Sequence, residues 1–333
     1  MTMQSKMVTQ QNSLAVNPLA ELNNTDKKER RDHTRTCVTA ILCQLIVIFA
    51  VYTVVVASAC AGEKAELALA PVFSDRMVLQ RGTLAPIWGR TTPGASVVVR
   101  IAEKEADTTA DANGDWLIRL DTRPLAARSG YELKVTSDNN SIALQDVVIG
   151  DVWVASGQSN MYFPLDNNRP GVPFPNPTLQ VDDFKQEITA ANAADIRWFD
   201  VKPVQPETPQ PNLPGAQGCW QTVSPQTAAG MTAVGYYFAR DLQQSLKVPI
   251  GILHSTYPGS KVQSWTRRAV WEADPILSQR VKGALEETGM QTAFRMWNGM
   301  IAPLIPYAIT GVIWYQGETD ADRDVPEGYA HRF

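Results

Sequence analysis

A chain of 333 residues that is 44% hydrophobic and 19% charged is long enough to bury substantial cores, in about two domains. Its formal net charge of −4 leaves no basic footprint for nucleic acid. Three His and four Cys provide no zinc-ligand spacing, and no Walker or G-x-G-x-x-G phosphate loop sits at a strand–helix junction.

Residues 1–36 are polar and end in "TDKKERRDHTRT". From Cys37 to Gly62 the run "CVTAILCQLIVIFAVYTVVVASACAG" holds no charge and is about long enough to cross a bilayer as a helix. Three readings stay open. They are a cleaved secretory signal with Ala57-Ser58-Ala59 as its A-x-A site, an uncleaved membrane anchor through 37–62, and a lipoprotein signal ending at Cys60. Each exports the rest of the chain, to a periplasmic, extracellular or membrane-anchored location. Outside this segment Cys219 stands alone, so no internal disulfide is available; beside Trp220 it reads as core packing.

Residues 63–148 read as a small antiparallel β-sandwich. Val97, Val99 and Ile101 alternate with Val98 and Arg100. Trp116, Ile118 and Leu120 alternate with Leu117 and Arg119, and Tyr131, Leu133 and Val135 with Glu132 and Lys134. Period two with Pro93-Gly94 and Asn113-Gly114 turns between the runs is the pattern of half-buried antiparallel strands.

The pattern changes near Asp146, and 149–333 reads as a second domain. "DVVIGDVWVAS" is a continuous apolar run, as in a parallel strand buried on both faces, and "DIRWFDV", "VPIGILHST" and "AITGVIWYQ" are shorter runs of that kind. Between the second and third, Val234, Phe238, Leu242 and Leu246 fall four apart on one helical face. Strand–helix alternation predicts an α/β layer sandwich with a parallel sheet, whose working residues lie beyond the carboxyl ends of the strands. Two Pro-rich stretches, Phe163–Pro177 and Pro203–Pro214, are loops placed to wall a cleft there.

"SGQSNM" puts Ser159 at one such strand end. A serine there is either a nucleophile held beside oxyanion donors or the cap of the next helix. Met161 occupies the second Gly position of a G-x-S-x-G elbow, so this is not an α/β-hydrolase elbow. Taken alone, the pattern favours the cap.

Three motifs in order change that reading. "SGQSNM", "STYPGSKVQSW" (Ser255 to Trp265) and "WYQGETD" (Trp314 to Asp320) resemble the sialate O-acetylesterase family of SGNH-type serine carbohydrate esterases. The likeness extends through "PVFSDRMVLQRG" and "WNGMIAPLIPYAITGVIWYQGETD", from about Ala70 onward. The resemblance implies a three-layer SGNH/flavodoxin-like parallel-sheet domain behind the β-sandwich. It also implies removal of O-acetyl groups from a sialic acid or another acetylated sugar by serine acyl transfer, without a cofactor or metal. Ser159 matches the nucleophile, its own N–H contributing to the oxyanion hole. Gly259 matches a second backbone donor, although Pro258 stands where the family usually has another Gly. Gln316 stands where a side-chain amide is the third donor. Glu318 either orients the site or hydrogen-bonds the sugar. Trp265, Trp271, Trp297 and Trp314 are candidates to stack on sugar rings, with core packing as their default role.

The family takes its general base from a C-terminal Asp-x-x-His element, and nothing here matches it. His33 precedes the apolar segment, His254 lies inside a strand run where a satisfied core role is expected, and His331 comes too soon after Glu318. The chain is therefore read as stopping before that element. The rival reading is a non-catalytic carbohydrate-binding protein or an inactive fragment.

Overall fold

The computed structural model describes residues 66–168, 183–213, 218–286, 289, 292–323 and 329–332. His33 and the apolar segment 37–62 lie outside the described residues, among which no helix is long and apolar enough to cross a membrane.

Period-two alternation becomes strands, as expected. They are β1 (Ala68–Leu69), β2 (Val78–Gln80), β3 (Leu84–Arg90), β4 (Ser96–Ile101), β5 (Lys104–Thr109), β6 (Asp115–Asp121), β7 (Tyr131–Ser137) and β8 (Asn140–Gly157). β1, β3 and β6 form a three-stranded antiparallel sheet, while β5, β4, β7 and the start of β8 pair antiparallel in a larger one. Val97, Val99, Ile101, Ile118, Leu120, Leu133 and Val135 share one buried cluster between these sheets. The residues between them, such as Arg100, Arg119 and Lys134, face water. Apolar area removed from water on one face of each strand holds the two sheets together.

The two sequence patterns meet inside a single strand. β8 pairs antiparallel with β7 up to Val147, then parallel with β2 from Val148 and with β11 (Ile250–Thr256) from Asp151. Residues 148 and 149 therefore sit mid-strand. Asp146 marks the changeover with φ +52°, and its carboxylate meets the buried guanidinium of Arg197 at 2.9 Å.

The second half of β8 lies within a parallel array completed by β9 (Ala193–Asp200), β11 and β12 (Gly311–Tyr315), with β10 (Gln221–Val223) antiparallel at the β9 edge. The spatial order is β9-β11-β8-β12. Numbering these four strands along the chain, that is second, third, first, fourth, which differs from the 2-1-3-4-5 order of flavodoxin. The result is a mixed α/β unit with one large sheet and one small antiparallel sheet.

Short helices and one long one complete the unit: α1 (Ser159–Tyr162), α2 (Phe184–Ala190), α3 (Ala233–Leu246), α4 (Arg268–Ala273), α5 (Val281–Glu286), α6 (Glu318–Arg323) and α7 (Tyr329–Arg332). One sheet face packs Ala155, Ile196, Ile250 and Ile252 against Met161 of α1 and Tyr236 and Ala239 of α3. The other packs Val154 and Leu253 against Trp265, Met300, Leu304 and Tyr307.

Two expectations need correction. α3 forms where expected, but its most buried residues are Ala233, Gly235, Tyr236 and Ala239, and Leu246 is exposed. Small residues let the helix lie close to the sheet: a Cβ on Gly235 would stand 3.6 Å from a methyl of Ile252 on β11, and 2.6 Å from the methyl of Thr232, the helix's own cap. Val234, Phe238 and Leu242 flank this seam, partly buried. Cys219 is exposed, whereas Trp220 is fully buried with its indole N–H on the Val72 carbonyl at 2.9 Å. The chain enters β10 with alternate residues pointing oppositely, so a buried Trp220 turns Cys219 outward.

Candidate active site

Register places the three motifs at one level. Gly157 ends β8, opposite Thr256 at the end of β11 and Tyr315 at the end of β12. Ser159, Gly259 and Gln316 come two, three and one positions after these residues, so all three leave the sheet at the carboxyl edge, as expected for an α/β sheet.

Ser159 opens α1 at its first helical position. Gln158 is the cap residue, and its side chain makes no capping hydrogen bond to the helix. The capping role is therefore excluded: among the described residues the half-buried Ser159 hydroxyl makes no hydrogen bond. Its backbone N–H has no described carbonyl partner either, while Met161 and Tyr162 both donate to the Gln158 carbonyl at 3.0 Å. An unpaired N–H at the start of a helical turn is a donor available to a developing negative charge.

Neighbours clamp this turn from several sides. The Gln158 side-chain carbonyl, buried, accepts from Gln316 Nε2 at 3.1 Å and lies 3.3 Å from the Thr319 N–H. Asn160 donates to Glu318 Oε1. The Met161 carbonyl accepts from the Thr232 hydroxyl at 2.6 Å, which ties the turn to the start of α3.

Gly259 lies in the turn after β11 with φ +73°, a conformation Gly adopts without Cβ strain. Its N–H engages no described carbonyl, and Ser260 closes the turn onto the Tyr257 carbonyl at 3.3 Å.

Gln316 turns its amide inward. Nε2 reaches Gln158 Oε1 at 3.1 Å, the Ser260 carbonyl at 3.0 Å and Asp320 Oδ2 at 2.5 Å, while Tyr329 donates to Oε1 at 2.8 Å. Two N–H bonds are thus shared among three acceptors. A third oxyanion donor from this residue would have to give one of them up. Glu318 spends one oxygen on Asn160; its Oε2 is buried without a partner among the described residues.

Beneath Gln316 lies a polar cluster that motif reading missed. Asp320 is 2% exposed and accepts from the Val262 N–H at 3.0 Å; Arg332, also buried, stands 3.6 Å from it and donates to Gln263 at 3.2 Å. The sequence signal was the place of Asp320 at the end of "WYQGETD", four residues after Gln316.

His254 occupies the satisfied role expected of it. Nδ1 meets Asp200 Oδ1 at 2.7 Å and Nε2 meets the Thr256 hydroxyl at 3.0 Å. His33 and the side chain of His331 lie outside the described residues. Of the four tryptophans, Trp271 is buried against Phe294, and Trp265 is buried with its N–H on Ser260 Oγ at 2.8 Å. Trp265 and Trp314 wall an apolar cavity of about 310 Å³ together with Val154, Leu253 and Leu304, on the sheet face opposite α1. Trp297 is partly buried. Of the Pro-rich loops, 169–177 and 214 lie outside the described residues, and the remainder of the second packs on Arg295, Asn298 and Trp88.

The chain is similar to several known proteins. Residues 149–333 match the family described as carbohydrate esterase, sialic acid-specific acetylesterase. Human sialate O-acetylesterase is 29% identical over 268 residues, spanning 75% of this chain and 48% of the relative; the mouse protein is 27% identical over 299 residues, spanning 76% and 52%. The chain thus spans about half the length of these relatives. The crystal structure of a carbohydrate acetylesterase from Xanthomonas citri superimposes with a TM-score of 0.65 at 37% identity, covering 77% of this chain and 52% of that one. With more than half of its length matched, the chain belongs to the sialic acid-specific acetylesterase family of carbohydrate esterases.

Proposed function

We propose that this protein removes O-acetyl groups from an acetylated sugar, a sialic acid or another carbohydrate, with Ser159 as nucleophile. The observation that carries the reading is the state of Ser159: at the sheet's carboxyl edge its hydroxyl is uncommitted, and its own N–H and that of Gly259 are unpaired among the described residues. The finer fold description that goes with it is the SGNH three-layer arrangement, and the apolar run 37–62 fits export.

In the reaction, Ser159 Oγ bonds to the acetyl carbon while its proton passes to a general base. The carbonyl oxygen becomes the oxyanion facing the two N–H groups. The sugar oxygen then leaves with the proton, and water releases acetate in the second half. Gln158, Gln316 and Asn160 hold the nucleophile turn. Glu318 orients Asn160 with one oxygen. Among the described residues no His has a free ring nitrogen, so the base is the one role they leave unfilled.

The test is acetate release from an O-acetylated sugar, and p-nitrophenol release from p-nitrophenyl acetate, by the chain and by Ser159→Ala. Loss of about a thousandfold or more in Ser159→Ala is expected for a nucleophile. Activity retained in that variant would move the nucleophile elsewhere. Sugar binding without turnover in the unsubstituted chain would favour a binding protein.

A further inference from the structure

We propose that His254 is a positioning residue for the turn that carries Ser159, held by Asp200 and acting through Thr256. Its consequence for catalysis rests on the reading of Ser159 above, whereas the positioning itself does not.

The three residues form one hydrogen-bonded series across two strands. Asp200 ends β9, in register with His254 on β11, and Thr256 is in register with Gly157 on β8. Asp200 is half exposed, while His254 and Thr256 are buried, so the series runs from solvent to the floor of the nucleophile turn. The Asp200 carboxylate only accepts, so Nδ1 carries the hydrogen of that 2.7 Å bond. In the neutral ring Nε2 is then the acceptor, and the Thr256 hydroxyl must donate to it across 3.0 Å. Each bond fixes the next, and together they fix the Thr256 rotamer.

A core-filling role does not account for this. The preceding residues Ile252 and Leu253 are fully buried and apolar, and an imidazole among them costs desolvation that a Leu would not. What the imidazole adds is direction. Thr256 lies beside Gly157, and the next residue, Tyr257, donates to the Gly157 carbonyl at 3.1 Å. On the other side of Ser159 in the sequence, the Tyr162 ring lies beside the His254 ring, tilted by 31° with centroids 6.3 Å apart. Ser159 is thus bracketed by two positions, Gly157 and Tyr162, that His254 and Thr256 support.

Amide hydrogen exchange on the whole chain tests this without requiring turnover. In Asp200→Ala, and in Thr256→Val, which keeps the shape and loses the hydroxyl, exchange over 157–162 is expected to rise about tenfold, the scale of one or two lost buried hydrogen bonds. Protection in β8 before Gly157 should not change, and Thr256→Ser should restore the turn. Unchanged exchange in both variants would mean that His254 only fills the core and would overturn the proposal. Uniform acceleration along β8 and β11, or failure of Thr256→Ser to restore protection, would do so too. Should Thr256→Val not fold, the exposed Asp200→Ala decides alone. Ser159→Ala should show ordinary exchange whether or not it abolishes ester hydrolysis, so the two readings fail separately. Where the chain turns over ester, Thr256→Val should lower kcat about tenfold with KM unchanged.

Discussion

Gly157 and Tyr315 meet backbone to backbone at the end of the sheet: a Cβ on Gly157 would stand 2.0 Å from the Tyr315 carbonyl oxygen. The same carbonyl accepts the Gln158 N–H at 3.0 Å. This contact lets β8 end against β12 and sends the chain into the Ser159 turn. Gly157 also has φ +139°, a region that is essentially Gly's alone.

Gly157→Ala should therefore cost about 3 kcal/mol or more, since strain of about 1–3 kcal/mol from the dihedral adds to a clash with rigid backbone. Urea unfolding measures it. A loss below about 1 kcal/mol would show that β12 can move away without penalty, and that Gly157 is not what fixes the turn.

Asp320 is the second point where fold and site depend on one side chain. It receives the Val262 N–H and the Gln316 amide, and it faces the buried Arg332. Asp320→Ala leaves a guanidinium and a backbone donor buried without it, so a loss of about 3 kcal/mol is expected. Adding Arg332→Ala should cost much less than the sum of the two changes, because the second removes the charge stranded by the first. Strict additivity in a double-mutant cycle would show that the two do not interact.

How much of the fold and site was legible in the sequence depends on how far each signal reaches. Strands with one solvated face show themselves as alternation, so Val97-Val99-Ile101 and Trp116-Ile118-Leu120 were readable, as was β11 as a continuous apolar run. The buried face of α3 was not. A helix lying close on a sheet places Gly235 and Ala239 at the contact, and small residues carry little weight in a hydrophobic pattern. Cys219 was misplaced because a two-residue alternation at a strand entry is too short to phase. Ser159, Gly259, Gln316 and Glu318 were proposed from motifs that are local in sequence. What holds them is not local: Asp320 to Val262 spans 58 residues and His254 to Asp200 spans 54. No spacing rule reaches that far. The strand order, with β11 between β9 and β8, likewise depends on crossovers that leave no periodic trace.

Away from the site, Tyr236 gives a prediction about pH. Its hydroxyl donates to Glu187 Oε2 at 3.2 Å, and Arg240 bonds the other carboxylate oxygen at 2.7 Å. Burial, and then the neighbouring Glu187 carboxylate, push the phenol up to about 12. An unfolded tyrosine titrates near about 10. Between those values the folded chain keeps a proton that the unfolded chain releases, so the stability it contributes is complete below about pH 10 and declines as pH rises toward 12. Tyr236→Phe has no such proton. At about pH 8 the variant should be weaker by about 1 kcal/mol, the worth of one hydrogen bond. Other tyrosines titrate in both proteins and cancel in the difference. Urea midpoints at about pH 8, 10 and 11.5 should therefore show the gap between wild type and variant narrowing with pH. A gap that stays constant would mean that Tyr236 ionises alike in both states, and that Glu187 is oriented by Arg240 alone.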